Sequence, residues 1–339
     1  MKVRFRVLFF ARLPTRDFFQ PLEIVNVRSF TLYLVVLAGI GSSLTAAIER
    51  TVEKSFPVAS GVTLKVDTCQ GVVRMEPSTD NKVHVLVRET MDVPDDAAAN
   101  RRLQDLDLQI EQSGALVLVK ARYRRSARWA WESWPPVALA YVVKVPRTCD
   151  LDLVTAEGDI TVCNIQGVVK VRAGNGAIFT GEITGSLQAT SSRGDVSVTA
   201  CTGELAVIAK SGNVLVGRAG GLTKISGSGG LIEVQNARGN LHIDADGADI
   251  KVGFTHPCTE SSQLKAAGGD IEVAFDQRST CTILATSSRF GQVKLKNLPV
   301  AIESGKIGSS HVVATLNGGG PIVKIDSSGG NVRLSGHEP

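Results

Sequence analysis

The chain has 339 residues, 37 of them basic and 33 acidic, and it is 43% hydrophobic with only 5% aromatic side chains. Within the first 47 residues Lys2, Arg4, Arg6, Arg12, Arg16 and Arg28 outnumber Asp17 and Glu23 by four, which is the whole net charge of +4. The body is therefore neutral and free of basic runs, so it lacks the field that a phosphate backbone requires, and no nucleic-acid partner is expected.

The basic flank leads into an apolar run from Phe30 to Ile40, followed by Gly41, Ser42, Ser43, Leu44, Thr45, Ala46 and Ala47. Basic flank, short apolar run and small residues are the order of a signal peptide, with a cut expected after Ala47. The same segment read as uncleaved would tether the chain to a membrane through residues 30–47, although it includes several glycines and hydroxyl residues. Residues 1–47 are thus expected to be a signal peptide or an N-terminal membrane segment. Either delivers the body to the periplasm, outer envelope or extracellular space. The basic flank is long for a signal peptide, and a true start further along, for example at a non-AUG codon for Val25 or Val27, would account for it.

Residues 48–146 are predicted to form a β-rich N-terminal cap. Val62, Leu64 and Val66, then Val83, Val85 and Val87, then Leu108 to Ile110, Leu116 to Ala121 and Val137 to Val145 read as strands. Asp95 to Asp107, following Pro94, reads as one short helix. A cap of this kind would cover the exposed apolar end of a repeat array. Between its last strands, Trp129, Trp131 and Trp134 alternate along an otherwise polar stretch. They are candidate surface-binding residues for a sugar, protein or lipid, or else a loop folded back on the cap.

Residues 147–339 are predicted to be a parallel β-solenoid of 18-residue coils. Ile160, Ile178, Val196, Val214, Ile232 and Ile250 share one column, with Val162, Thr180, Val198, Val216, Val234 and Val252 two places on. Half a coil away, Leu151, Val169, Leu187, Leu205, Thr223 and Leu241 form a second column, with Leu153, Val171, Ala189, Val207, Ile225 and Ile243 beside it. A spacing of two puts both members of a pair on one face of a strand, so each coil holds two strands whose apolar faces meet inside. Glycines before each strand supply the turns. Thr155, Ala173, Ser191, Ala209, Gly227 and Ala245 make a uniformly small column, read as a tight corner. Hairpins have no reason to keep a fixed 18-residue step, whereas stacked coils do. Past Ile250 the matching residues are Ile271, Val293, Val312 and Val332, expected to continue the column in that order. About ten coils of roughly 4.8 Å give a rod of about 48 Å.

Cys69, Cys149, Cys163, Cys201, Cys258 and Cys281 show no CxxC spacing, which argues against a structural zinc or iron–sulfur site. Cys258 and Cys281 fall at similar offsets in two enlarged coils and are a candidate disulfide. Asp159 and Asp195, two coils apart on one outer face, are the one carboxylate pair at a separation suited to sugar hydrolysis. Directly after glycine, however, aspartate is an ordinary turn former. The five histidines are scattered and none pairs with a recognisable nucleophile motif. No catalytic residue, metal or cofactor is expected.

The segments "SGVTLKVDTCQGVVRM" at 60–75, "YVVKVP" at 141–146 and "LDLVTAEGDITV" at 151–162, in that order after a leader, resemble the bacterial "putative adhesin" family. Its members are β-strand-repeat proteins whose defining domain has no established function. The resemblance implies an all-β, adhesin-like solenoid in the cell envelope and transfers no functional residues. The leading expectation is a non-enzymatic exported envelope protein, adhesin or scaffold, whose partner is an envelope component, glycan or protein. A polysaccharide-processing β-helix enzyme and a self-assembling envelope scaffold are the alternatives.

Overall fold

A computed structural model describes residues 47–124, 135–238, 240–288 and 290–337. The expected leader and the three tryptophans, Trp129, Trp131 and Trp134, lie outside the described residues. The rest is a mostly parallel array of 26 strands with one helix.

The columns read from the sequence are physical stacks. Ile160, Ile178, Val196, Val214, Ile232, Ile250 and Ile271 are successive register partners in parallel strands. So are Leu151, Val169, Leu187, Leu205, Thr223 and Leu241 on the opposite wall. All of these side chains are buried. Burying an aliphatic side chain of this size contributes about 1.5–3 kcal/mol, and here each layer buries two or more pairs. The small column also stacks in register, Ala173 beside Thr155 and Ser191, Ala209 beside Gly227.

A further interior column, not apparent in the reading above, lines the other corner. Ile165, Ile183, Cys201, Ala219, Ala237, Phe254 and Phe275 are partners in turn. It ends in two stacked rings, Phe254 and Phe275, with centroids 5.4 Å apart. Cys201 is one of its members, a small buried side chain whose thiol points at the Gly185 carbonyl.

Side chains also link coil to coil at the turns. The Oδ1 atoms of Asp159, Asp195 and Asn213 accept from the backbone N–H of Ala177, Asn213 and Leu231, one coil on, at 2.7–2.9 Å. Asp249 accepts from the N–H of Asp270 and Asp270 from that of Asn331 in the same manner. These residues satisfy N–H groups that the strand ladder leaves over.

Both ends depart from the expected order of coils. The residues after Ile271 do not follow in sequence: Val332 partners Ile271, and Val293 partners Val332 from the other side. Val312 is not in this column; it lies on the opposite wall, facing Ala285 in an antiparallel strand. Residues 322–337 have slotted between the coils 262–276 and 281–296, and the hairpin of Val300–Gly305 with His311–Leu316 finishes one wall. Like side chains pack equally well in either order, so the column itself does not fix which coil comes next. At the other end, Thr63–Thr68 sits between Leu116–Tyr123 and Asp150–Glu157, and Val72–Pro77 between Ala138–Val145 and Ile160–Val162. Residues 60–75 are thus a coil of the same array, continuous in pairing with residue 150 onward. The helix, Asp96–Gln104, starts from Asp95, whose carboxylate accepts from the Ala98 N–H. It stops short of the expected Asp107 because Leu106–Ser113 pairs with Leu116–Tyr123 instead.

The outermost strand, Val300–Gly305, is exposed and follows Pro299; its register breaks between Ile302 and Ser304. A proline and a bulge are devices that discourage edge-to-edge addition, which disfavours filament growth from this end.

Gly194 has φ +134°, and a Cβ there would lie 2.3 Å from the Gly176 carbonyl oxygen one coil below. Gly247 also has positive φ, at +77°, but faces open space. Gly194→Ala is expected to destabilise the protein by at least about 3 kcal/mol in urea unfolding, and Gly247→Ala by only about 1 kcal/mol, the backbone cost alone. At the slotted coil, the Asn331 N–H, with help from Arg333, holds the Asp270 carboxyl below its ordinary value. That stabilisation is complete above the unfolded value of about 3.9 and is lost as pH falls through the folded one. Hydrogen exchange at the Asn331 amide is expected to speed up in acid beyond the intrinsic rate, and Asp270→Asn to remove the excess.

Candidate functional site

The corner column is smallest at Cys201, Ala219 and Ala237, and outside those coils the surface carries a trough of about 580 Å³. Its floor is kept low by glycine: a Cβ on Gly217 would lie 2.5 Å from the Thr199 carbonyl oxygen. Thr199, Leu215, Arg218, Gln235, Asn236 and Arg238 are among its lining residues. These come from successive coils, so the trough runs along the solenoid axis in steps of about 4.8 Å. A second hollow of about 270 Å³, reaching Lys251, Glu272 and His337, shares Gln235 and continues it along the same wall.

The trough is polar and mixed in charge. Arg218 and Glu182, two coils apart, form a bridge of 3.1 Å across the intervening Ala200. Both side chains are more than half exposed, so the pair is screened and contributes little to stability. Asn236 donates to the Gly217 carbonyl at 3.0 Å, which fixes its amide plane at the floor, while Leu215 offers a small apolar patch. Guanidinium, carboxylate, amide, hydroxyl and aliphatic groups in one strip suit a hydroxyl-rich or peptide-like chain.

The carboxylate pair singled out in the sequence is engaged in linking coils. Asp159 and Asp195 each spend an oxygen on a backbone N–H of the next coil. Among the described residues no group of three or more His, Cys, Asp or Glu could hold a metal ion. Cys258 and Cys281 are both buried and carry free thiols in this structure, as do the other four cysteines. Burial first, and the neighbouring Cys258 second, push the Cys281 thiol up to about 12. The strand Ile322–Ser327 runs between Ser262–Ala266 and Cys281–Thr286, so the two coils are not adjacent as the sequence order suggested.

One arrangement was hidden from sequence reading. His84 is the cross-strand partner of Ser55 on one side and of Lys144 on the other. Ser55 Oγ lies 2.9 Å from His84 Nδ1, and His84 Nε2 lies 3.0 and 3.1 Å from the two Asp80 oxygens. Asp80 also accepts from the Ser78 hydroxyl. Ser78 and then His84 hold its carboxyl below the ordinary value. Twenty-nine residues separate Ser55 from His84, and only knowledge of the pairing of Ile48–Pro57 with Lys82–Met91 joins them.

A stacked two-wall array of mostly parallel strands with inserted end coils is a β-solenoid. The model of the Toastrack DUF4097 family matches residues 90–335, and the chain belongs to that family. The resemblance drawn from residues 141–146 and 151–162 falls inside this span. No curated protein matches the chain. Among solved structures it is similar to a "putative adhesin" from Bacteroides fragilis, at 11% identity over 85% of this chain and 97% of that one, with a TM-score of 0.43. It is also similar to a "putative lipid binding protein" from Parabacteroides distasonis, at 13% identity over 83% and 96% with a TM-score of 0.34. A "putative cell adhesion protein" from Clostridium sporogenes matches at 9% identity over 85% and 100%, with a TM-score of 0.20.

Proposed function

We propose that the chain is an exported cell-envelope protein that binds an envelope glycan or protein along its axial trough, in an adhesive or scaffolding role. The observation that carries this reading is the trough itself. It is long, polar and mixed in charge, and its lining residues repeat along the direction in which an extended polymer would lie. The order of charges and apolar residues in 1–47 supports export, with residues 1–47 as leader or tether, 48–146 as the N-terminal region and 147–339 as the main solenoid. Among the described residues no helix is long and apolar enough to cross a membrane.

A polysaccharide-processing role for the coils finds no support in the geometry, because the Asp159 column is committed to holding backbone N–H groups. A disulfide between Cys258 and Cys281 belongs to the same proposal and requires their turns to approach past Ile322–Ser327, which runs between the two coils; on oxidation by a disulfide donor two thiols are lost, one S–S bond forms, and the donor is reduced. A thiol count on denatured, unreduced protein recovered from the envelope is expected to find four free cysteines; six would exclude the bridge.

The binding reading is tested by screening the full chain against glycans and envelope extracts, then repeating any positive with Arg218→Ala, Asn236→Ala and Arg238→Ala combined. All three side chains are surface groups, so thermal unfolding should be little changed. Affinity is expected to fall at least about tenfold, equivalent to about 1.4 kcal/mol. A ligand held equally well by the triple variant would sink the trough as its site.

A further inference from the structure

We propose that Ser55, His84 and Asp80 form a serine-hydrolase site at the N-terminal end of the array, acting on short-chain carboxylic esters. The inference is independent of the trough and adds a chemical activity to a rod otherwise read as a binding surface. It rests on hydrogen-bond geometry, on the register of three strands and on a hollow beside them.

The register of Ile48–Pro57, Lys82–Met91 and Ala138–Val145 sets Ser55, His84 and Lys144 in one row across the wall, about 4.8 Å from strand to strand. Asp80 reaches the imidazole from the turn that precedes the middle strand. Facing a carboxylate, Nε2 carries the proton, which leaves Nδ1 as the acceptor toward the serine hydroxyl at 2.9 Å. The imidazole presents its nitrogens in the opposite sense to the familiar serine proteases, but the roles are set by geometry and either nitrogen can serve as the base. Lys144 is the cation of the row, on the far side of His84 from the serine.

A hollow of about 290 Å³ lies against His84, Asp80 and Lys144, with Glu53, Leu86 and Val142 also in its lining; Ser55 is not one of the lining residues and meets it through His84. Glu53, Leu86 and Val142 form the next row across the same three strands, two residues along from Ser55, His84 and Lys144. Leu86 and Val142 are the apolar part of that row, and the small volume limits an acyl chain held there to a few carbons. His84 and Asp80 side chains are 30% and 45% exposed, so solvent screens the site and its acceleration is modest.

The reaction balances without any outside reagent except water. Ser55 Oγ attacks the ester carbonyl carbon and forms the new C–O bond while its proton passes to His84 Nδ1. The tetrahedral oxyanion collapses, the bond to the alcohol breaks, and the departing alkoxide takes the proton from Nδ1. Water then attacks the acyl-serine, gives its proton to His84, and releases the carboxylic acid with the hydroxyl restored. Asp80 touches only the imidazole and is a positioning residue.

The test uses the full chain with p-nitrophenyl acetate as substrate and a fluorophosphonate as covalent probe. The expected result is a single adduct on the peptide carrying Ser55 and a hydrolysis rate that falls about a hundredfold in Ser55→Ala. His84→Ala should lose both labelling and turnover, while Asp80→Asn should lower kcat and leave KM in place. Ser113→Ala, which removes an exposed hydroxyl from the strand Leu106–Ser113 away from the row, should be labelled normally and serves as the control. No adduct on Ser55, or hydrolysis by Ser55→Ala at the parental rate, overturns the proposal.

Discussion

The structure depends on one constraint: every coil must place its backbone N–H and C=O groups, and its inward side chains, directly over those of the coil beside it. Strand hydrogen bonds alone do not fix which residue lies over which. What fixes it is the pairing of like shapes in the interior, isoleucine over isoleucine, alanine over serine, phenylalanine over phenylalanine, in parallel columns. A slip by one residue would turn each buried aliphatic outward. The glycine turns follow from the same rule, since a carbonyl from the coil below occupies the place of any Cβ at Gly194 or Gly212.

That constraint also explains where a surface feature can arise. Strand spacing is constant, so outward side chains recur at the coil spacing. One hollow lies outside the coils of Cys201, Ala219 and Ala237, and a second outside those of Phe254 and Phe275, whose stacked rings fill the interior. The polar groups around the hollow then repeat at the coil spacing because the backbone that carries them does.

Much of this was legible in the residues because the constraint writes itself as periodicity. The 18-residue step from Ile160 to Ile250, the paired strands, the small corner and the helix after Pro94 all follow from identities and spacing. Two things were not legible. Val332 and Val293 are equivalent in shape, so nothing in either residue says that Val332 packs against Ile271 first. The trough and the Ser55–His84–Asp80 relay depend on neighbours brought together across strands, and the residues concerned are too ordinary singly to attract notice. The sequence did carry one usable hint, the corner column of Ile183, Cys201 and Ala219, which shares the same 18-residue step as the columns that were seen.

The interleaved ends bear on how such an array could grow or shrink through evolution. In an ordinary repeat protein a unit can be gained or dropped at a terminus. Here the coil at residues 262–276 is sealed by partners synthesised 61 residues later, and the one at 150–162 by partners that come 87 residues earlier. Duplication at either tip would separate partners that must touch. The uniform 18-residue stretch in the middle has no such ties beyond its immediate neighbours, so it is the segment whose copy number is free to vary between relatives, with rod length changing while both tips stay as they are.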